Sequence, residues 1–162
     1  MRHYFSTTLF ALSVMMAPCL APTAFAQNSA PTAPVIATDQ SLFNDFGGRE
    51  GLVALMDDFM VNLLADPRTK TFFEASDQAK VKNHLVEQFC VILNGGCTYT
   101  GRDMKTTHEG MGVNQASFYG LVEALQMSMA KRNIPFRAQN KLLAALAPQH
   151  RDIVAPSSAS AP

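Results

Sequence analysis

His108 is the residue of this 162-residue chain best placed to do chemistry, because of its neighbours. The run Tyr99-Thr100-Gly101-Arg102-Asp103-Met104-Lys105-Thr106-Thr107-His108-Glu109-Gly110-Met111 spells a turn, a short helix from about Arg102, and a glycine stop at Gly110. A spacing of four puts His108 on the face of Met104, on the last helical turn. A helix-terminal imidazole beside a thioether can reach into an apolar cavity. If the carbonyl one turn back engages the inner ring nitrogen, the outer nitrogen keeps its lone pair for a metal. By itself the pattern suits a capping or solvated histidine equally well.

A second imidazole, His84, stands at the edge of an apolar stripe. Val81, Leu85, Phe89 and Ile92 recur at helical spacing, with Lys80, Lys82 and Glu87 away from them. At about 100° per residue, His84 lies some 60° round from Val81, and Cys90 about 180° from it. Cys90 and Cys97 flank the Gly95-Gly96 turn. In an oxidising compartment they can close a disulfide across that turn, or stand as two thiols, one of them buried. Their spacing is neither a zinc motif nor a covalent haem-attachment motif. His150, near the end of the last helical segment, is expected at the surface, where it interacts with the helix dipole.

Four main helices must position these groups. Leu52, Leu55, Met56, Phe59, Met60, Leu63 and Leu64 define one over about Arg49 to Ala65, stopped by Pro67. The Val81 stripe defines the second, which ends at Gly95-Gly96. Asn114 can cap a third carrying Phe118, Leu121, Val122, Leu125 and Met129. Pro135 can start a fourth with Leu142, Leu143, Leu146 and Ile153, bent or interrupted at Pro148. The fold class is therefore all-α, and pattern alone fits a generic bundle as well as any particular one.

Thirteen Lys+Arg balance thirteen Asp+Glu, so the net charge is zero and no phosphate-binding surface is implied. This argues against a nucleic-acid partner. Residues 1–26 have the form of a secretory signal: Arg2 and His3, an apolar run from Phe5 to Ala17, and the small-x-small triplet Ala24-Phe25-Ala26. Pro18 and Pro22 break that run and it is short for a membrane span, so no stable membrane insertion is expected once the signal is removed. Residues 27–38 then form a Pro/Ala/Ser/Thr leader and 155–162 a similar tail. Residues 39–154 make one domain, long enough for a single core. The expected location is exported and periplasmic.

Several segments share the order and spacing of the truncated haemoglobins, and the chain resembles group I of that family. They are Ser41-Leu42-Phe43-Asn44-Asp45-Phe46-Gly47-Gly48; Asp57-Asp58-Phe59 with Leu64-Ala65-Asp66-Pro67-Arg68 and Phe72-Phe73; and Gly95-Gly96 before Tyr99-Thr100-Gly101. His108 falls where the family places the proximal haem ligand. The likeness runs from about Ser41 to Val154. It implies a 2-on-2 helical sandwich, with helices B/E over G/H enclosing a haem b, and a first helix reduced to a turn near Gln40 to Phe46. It further implies that Phe59, Met60, Phe72, Phe73, Val81, Leu85, Phe89, Tyr99, Met104 and Phe118 bind the porphyrin. The aromatics among them could equally be plain core. Lys105 or Arg102 would meet a propionate or remain solvated.

The distal side departs from the family pattern. Many group I relatives have a tyrosine where this chain has Met60, and a polar residue where it has Val81 or Leu85. Those side chains donate hydrogen bonds to captured oxygen, and none of the three residues here can. The loss weakens retention by roughly one to a few kcal/mol. In some relatives a histidine matching His84 binds the iron as a second axial ligand; the alternative is a rim histidine. The resemblance thus implies a haem protein that binds a diatomic gas, oxygen or else NO or CO, at iron held by His108. A bis-histidyl electron-transfer protein and an NO-detoxifying or peroxidase-like enzyme are the alternatives, and a reductase is the implied partner. Against enzyme chemistry stands the lack of a distal acid/base pair beyond His84.

Overall fold

The computed structural model describes residues 34–155. The expected signal segment, most of the expected leader and residues 156–162 of the tail lie outside the described residues. Among the described residues every regular element is helical. None of these helices is long and apolar enough to cross a membrane.

The chain opens with one turn, α1 (Ser41–Asp45), then α2 (Gly48–Ala65). Asp66 leaves the helical region because Pro67 follows it, so α2 stops there. A single helical turn, α3 (Lys70–Phe73), follows. In α4 (Gln78–Ile92) the Asp77 side chain caps the start by accepting from the Lys80 amide at 3.0 Å.

The helix carrying His108 is α5 (Met104–His108), which begins two residues later than expected. The reason is Asp103, whose side chain accepts from the Thr106 amide at 2.8 Å and so occupies the cap. Asn114 caps α6 (Gln115–Lys131) as expected, accepting from the Ser117 amide at 2.9 Å. Pro135 precedes α7 (Phe136–Leu146), Pro148 sits in a 3-10 turn at Ala147–Gln149, and α8 (His150–Ile153) follows.

Two helix pairs make the body. α2 packs against both α4 and α6, α6 packs against α7, and α5 rests on α8. Leu52, Leu55 and Leu63 of α2, Ile92 of α4, Met129 of α6 and Leu142 of α7 are all completely buried in one cluster. Each such side chain contributes roughly 1.5–3 kcal/mol relative to exposure. Asn62 of α2 donates to Ser128 Oγ of α6 at 2.8 Å, which fixes the register of that contact.

α4 explains why one stripe was visible in the sequence where the structure has two. Val86, Phe89, Cys90 and Leu93 follow the i, i+3, i+4, i+7 rule and are buried in the core. Val81, His84, Leu85 and Gln88 follow the same rule on an adjacent face and line a cavity instead. Cys90, expected to lie behind the apolar stripe, is therefore in the core at full burial.

Candidate haem pocket

The cavity between the helix pairs has a volume of about 930 Å³. This is near the upper end of the roughly 300–1,000 Å³ usual for small-molecule sites. Six parts of the chain wall it. α4 supplies the face just described, and α5 supplies Met104, Thr107 and His108. Phe118, Leu121, Val122 and Leu125 come from α6, and Leu143, Leu146, Gln149, His150 and Ile153 from the last helical segments. Phe59 and Phe73 close the side next to α2, and the segment Tyr99–Arg102 forms the remaining wall.

The decisive local geometry is at His108. Its Nδ1 lies 2.7 Å from the Met104 carbonyl oxygen, one turn back on the same short helix. A carbonyl can only accept, so Nδ1 carries the proton and, in the neutral ring, Nε2 keeps its lone pair. The ring is half-buried on the cavity wall. Asp103 stabilises the helix start, and its carboxyl lies below the usual range because the Thr106 amide donates to it.

The wall facing α5 along the chain is held by a different set of contacts. Glu87 accepts from both the amide (2.9 Å) and the hydroxyl (2.7 Å) of Thr100. Those bonds, the hydroxyl first, hold the Glu87 carboxyl below its ordinary value. The Tyr99 ring stands edge-on to the His84 ring, centroids 6.2 Å apart, and its hydroxyl donates to the Arg102 carbonyl at 2.9 Å. Burial pushes the Tyr99 phenol up. The Tyr99 ring folds over Gly101, where any Cβ would collide with it. Cys90 and Cys97 are joined in a disulfide with Cα atoms 5.7 Å apart. Gly95 permits that closure, because a Cβ there would lie 2.6 Å from the Phe43 ring and 2.7 Å from Cys90 Sγ.

Of the residues selected from the sequence, His108, His84, Phe59, Phe73, Val81, Leu85, Phe89, Tyr99, Met104 and Phe118 all line this one cavity. Met60 and Phe72 do not. Met60 is buried but turned about 100° round α2 from Phe59, away from the wall. Phe72 is half-buried and stands beside Phe73, which alone of the pair reaches the cavity. Arg102 lines the wall, whereas Lys105 is exposed and absent from it, and Lys80 takes a place there instead.

Several polar cavity residues were missed, among them His150, Gln88 and Gln149. His150, expected at the surface, is half-buried and stands edge-on to Phe118, centroids 4.7 Å apart. Gln88 is buried, with Nε2 3.9 Å from Met104 Sδ and 3.4 Å from Gln149 Oε1. Gln149 Nε2 has no hydrogen-bond partner. The signal for Gln88 was its position four residues after His84, on the same helical face.

A model of the bacterial-like globin family matches residues 41–154. The chain belongs to the bacterial-like globins. Within that family it is a truncated haemoglobin of group I. A group 1 truncated hemoglobin of Mycolicibacterium paratuberculosis is 31% identical over 108 residues, covering 67% of this chain and 79% of that one. One from a Nostoc species is 30% identical over 94 residues, covering 58% and 80%. Among solved structures, the Fe(III) truncated hemoglobin of Tetrahymena pyriformis superposes with a TM-score of 0.67 at 22% identity, covering 71% of this chain and 98% of that one. The 2/2 hemoglobin of a Synechococcus species, in the cyanomet state with covalently attached heme, gives 0.64 at 25% identity over 70% and 97%. The α2/α4 and α6/α7 pairs are thus the two halves of a 2-on-2 globin.

As a globin this is a haem-binding protein, and the cavity fits that group. Its walls are mainly apolar, as a porphyrin face requires. One imidazole presents a bare nitrogen, and Lys80 and Arg102 lie on the lining as cations for acidic ring substituents.

Proposed function

We propose that this globin is an exported protein that binds a diatomic gas at haem b iron held by His108 Nε2. The observation that carries the proposal is the 2.7 Å contact between His108 Nδ1 and the Met104 carbonyl, which leaves the outer nitrogen as a metal donor. When bound, the iron porphyrin supplies the coordination position at which the gas is captured.

The chain's own residues do the rest. Asp103 and the Met104 carbonyl fix the His108 ring, so the metal donor is held in one orientation. Phe59, Phe73, Val81 and Leu85 keep water from the pocket and offer no hydrogen to a captured gas. Met60 stands off the wall, so it neither donates nor blocks. His84 lines the α4 wall beside Val81 and Leu85, and the Gln88 amide is spent on Met104 and Gln149. Tight oxygen storage through donors at the Met60, Val81 and Leu85 positions is therefore not expected here.

A second reading is favoured by the place of His84 on the same cavity as His108. As a second axial ligand it would give a bis-histidyl haem, suited to electron transfer with a reductase or to gated gas binding. Visible spectroscopy of the purified protein tests both. A Soret band lost in His108→Ala supports the haem reading; a colourless wild type refutes it. Identical five-coordinate ferrous spectra of wild type and His84→Ala reject the second ligand. NO turnover with oxygen and a reductase no faster than free haem rejects the enzyme alternative. Export rests on residues 1–26, and a mature N-terminus near Gln27 is the expected finding.

A further inference from the structure

The α4 helix grips the segment after it at three points, one helical turn apart. Cys90 is bonded to Cys97, Glu87 takes both hydrogen bonds of Thr100, and the Tyr99 ring stands against His84. The gripped segment is itself a cavity wall, since Tyr99, Thr100, Gly101 and Arg102 all line the pocket. Of the three ties only the sulfur bond is covalent.

We propose that Cys97 is a thiol-exchange site and that the Cys90–Cys97 bond is a reversible lock on this wall and, through Tyr99, on His84. The two sulfurs are not equivalent. Cys90 is completely buried, whereas Cys97 is half-buried and beside solvent. An external thiolate therefore reaches Cys97 first. Arg49 Nη1 lies 3.6 Å from Cys97 Sγ, and a guanidinium at that place favours the thiolate form of a released Cys97.

The reductant is a dithiol. One of its thiolates attacks Cys97 Sγ, forming a mixed disulfide and expelling Cys90, which takes up a proton. Its second thiol then attacks the reagent's own sulfur in that mixed bond and expels Cys97. The dithiol ends as a cyclic disulfide, and two electrons and two protons have passed to the protein. A low-molecular-weight disulfide reverses the exchange. After reduction the wall is held by the Thr100 hydrogen bonds and the edge contact of Tyr99 with His84, and water competes for those hydrogen bonds.

The loosening of the wall does not require the porphyrin; the effect on iron rests on the haem reading above. The test treats the purified full-length protein with dithiothreitol and follows amide exchange by mass spectrometry, with iodoacetamide labelling in parallel. Peptides over residues 97–103 should exchange about tenfold faster after reduction while those of α2 and α6 stay unchanged, the mark of a local opening. Cys97 should be alkylated before Cys90, Arg49→Gln should slow that alkylation, and glutathione disulfide should restore protection.

Unchanged exchange over 97–103, an equal rise across α2 and α6, or earlier labelling of Cys90 overturns the lock. Should the reduced protein precipitate, Cys97→Ser reports the same local exchange. Ferrous spectra in both thiol states test the reach to His84: a changed six-coordinate fraction supports it, and identical spectra with a loosened wall overturn it. A pigmentless preparation defeats the haem reading and leaves the lock to be decided by exchange and labelling.

Discussion

The two sides of the cavity are built differently. On the α2–α6–α7 side, Leu52, Leu55, Met129 and Leu142 are completely buried against each other. On the α4–α5 side, His84, Leu85, Met104 and His108 are only half-buried, because they face the cavity rather than protein. The first side is closed by contacts within the protein, and the second leaves its side chains facing the space a cofactor would take. Stability and chemistry thus fall largely to different side chains, even within α4, with Phe59 and Phe89 serving both as core and as cavity wall.

The largest test of that separation is a pair of substitutions. Leu55→Ala should destabilise the haem-free protein by about 2–5 kcal/mol in urea denaturation, since it opens a cavity in the packed side. His108→Ala should abolish the Soret band yet shift haem-free stability by less than about 1 kcal/mol, because a half-buried ring on a five-residue helix packs little. A His108→Ala variant that fails to fold without haem would erase the distinction. Next in size is the sulfur bond. Replacing both Cys90 and Cys97 by Ala should cost roughly 2–3 kcal/mol in the chain-entropy model for so short a loop. Thermal unfolding under non-reducing conditions would measure it.

The same division explains what could be read from the amino-acid sequence. The packed side was legible because its periods are long and regular: the bounds of α2 to within a residue, the Asn114 cap that starts α6 and the Pro148 interruption follow from spacing and turn chemistry alone. The His108 ring geometry was legible too, because it depends on residues four apart. The cavity side was read less well. Its residues answer to a second face on helices whose first face already looks apolar, so Gln88 was hidden behind the stripe ending in Ile92. Met60 was assigned to the pocket by family position, but a neighbour one residue from Phe59 points elsewhere on a helix. His150 was misplaced because its burial depends on Phe118, 32 positions earlier (150 − 118), and no local pattern records that contact.

Two caps of the same chemistry sharpen the contrast at smaller scale. Asn114 starts α6 on the packed side, so Asn114→Ala should lower global stability by about 1 kcal/mol and leave the pigment spectrum alone. Asp103 starts α5 and bears mainly on the ring of His108. Asp103→Ala should leave the urea midpoint nearly unchanged while speeding haem loss to an apoglobin acceptor. Equal haem-loss rates in both variants would show that α5 is positioned by its contact with α8 and not by its cap.

The smallest expected effect lies in the Glu87–Thr100 tie, and its sign follows from the direction of the shift. The folded carboxyl sits below its ordinary value of 4.5, chiefly through the Thr100 hydroxyl. Its contribution is therefore present above that pH and is lost as the pH falls through the lowered folded value. Glu87→Gln should flatten the acid limb of stability against pH, measured by urea midpoints from pH 6 downward. With the disulfide closed, the wall keeps its covalent tie and the flattening should be slight. In Cys97→Ser the hydrogen bonds hold the wall together with only the Tyr99–His84 edge contact, so the same substitution should have a larger effect. Equal effects in the two backgrounds would mean that the sulfur bond and the carboxylate stabilise the wall independently, and that the three ties along α4 do not act as one clasp.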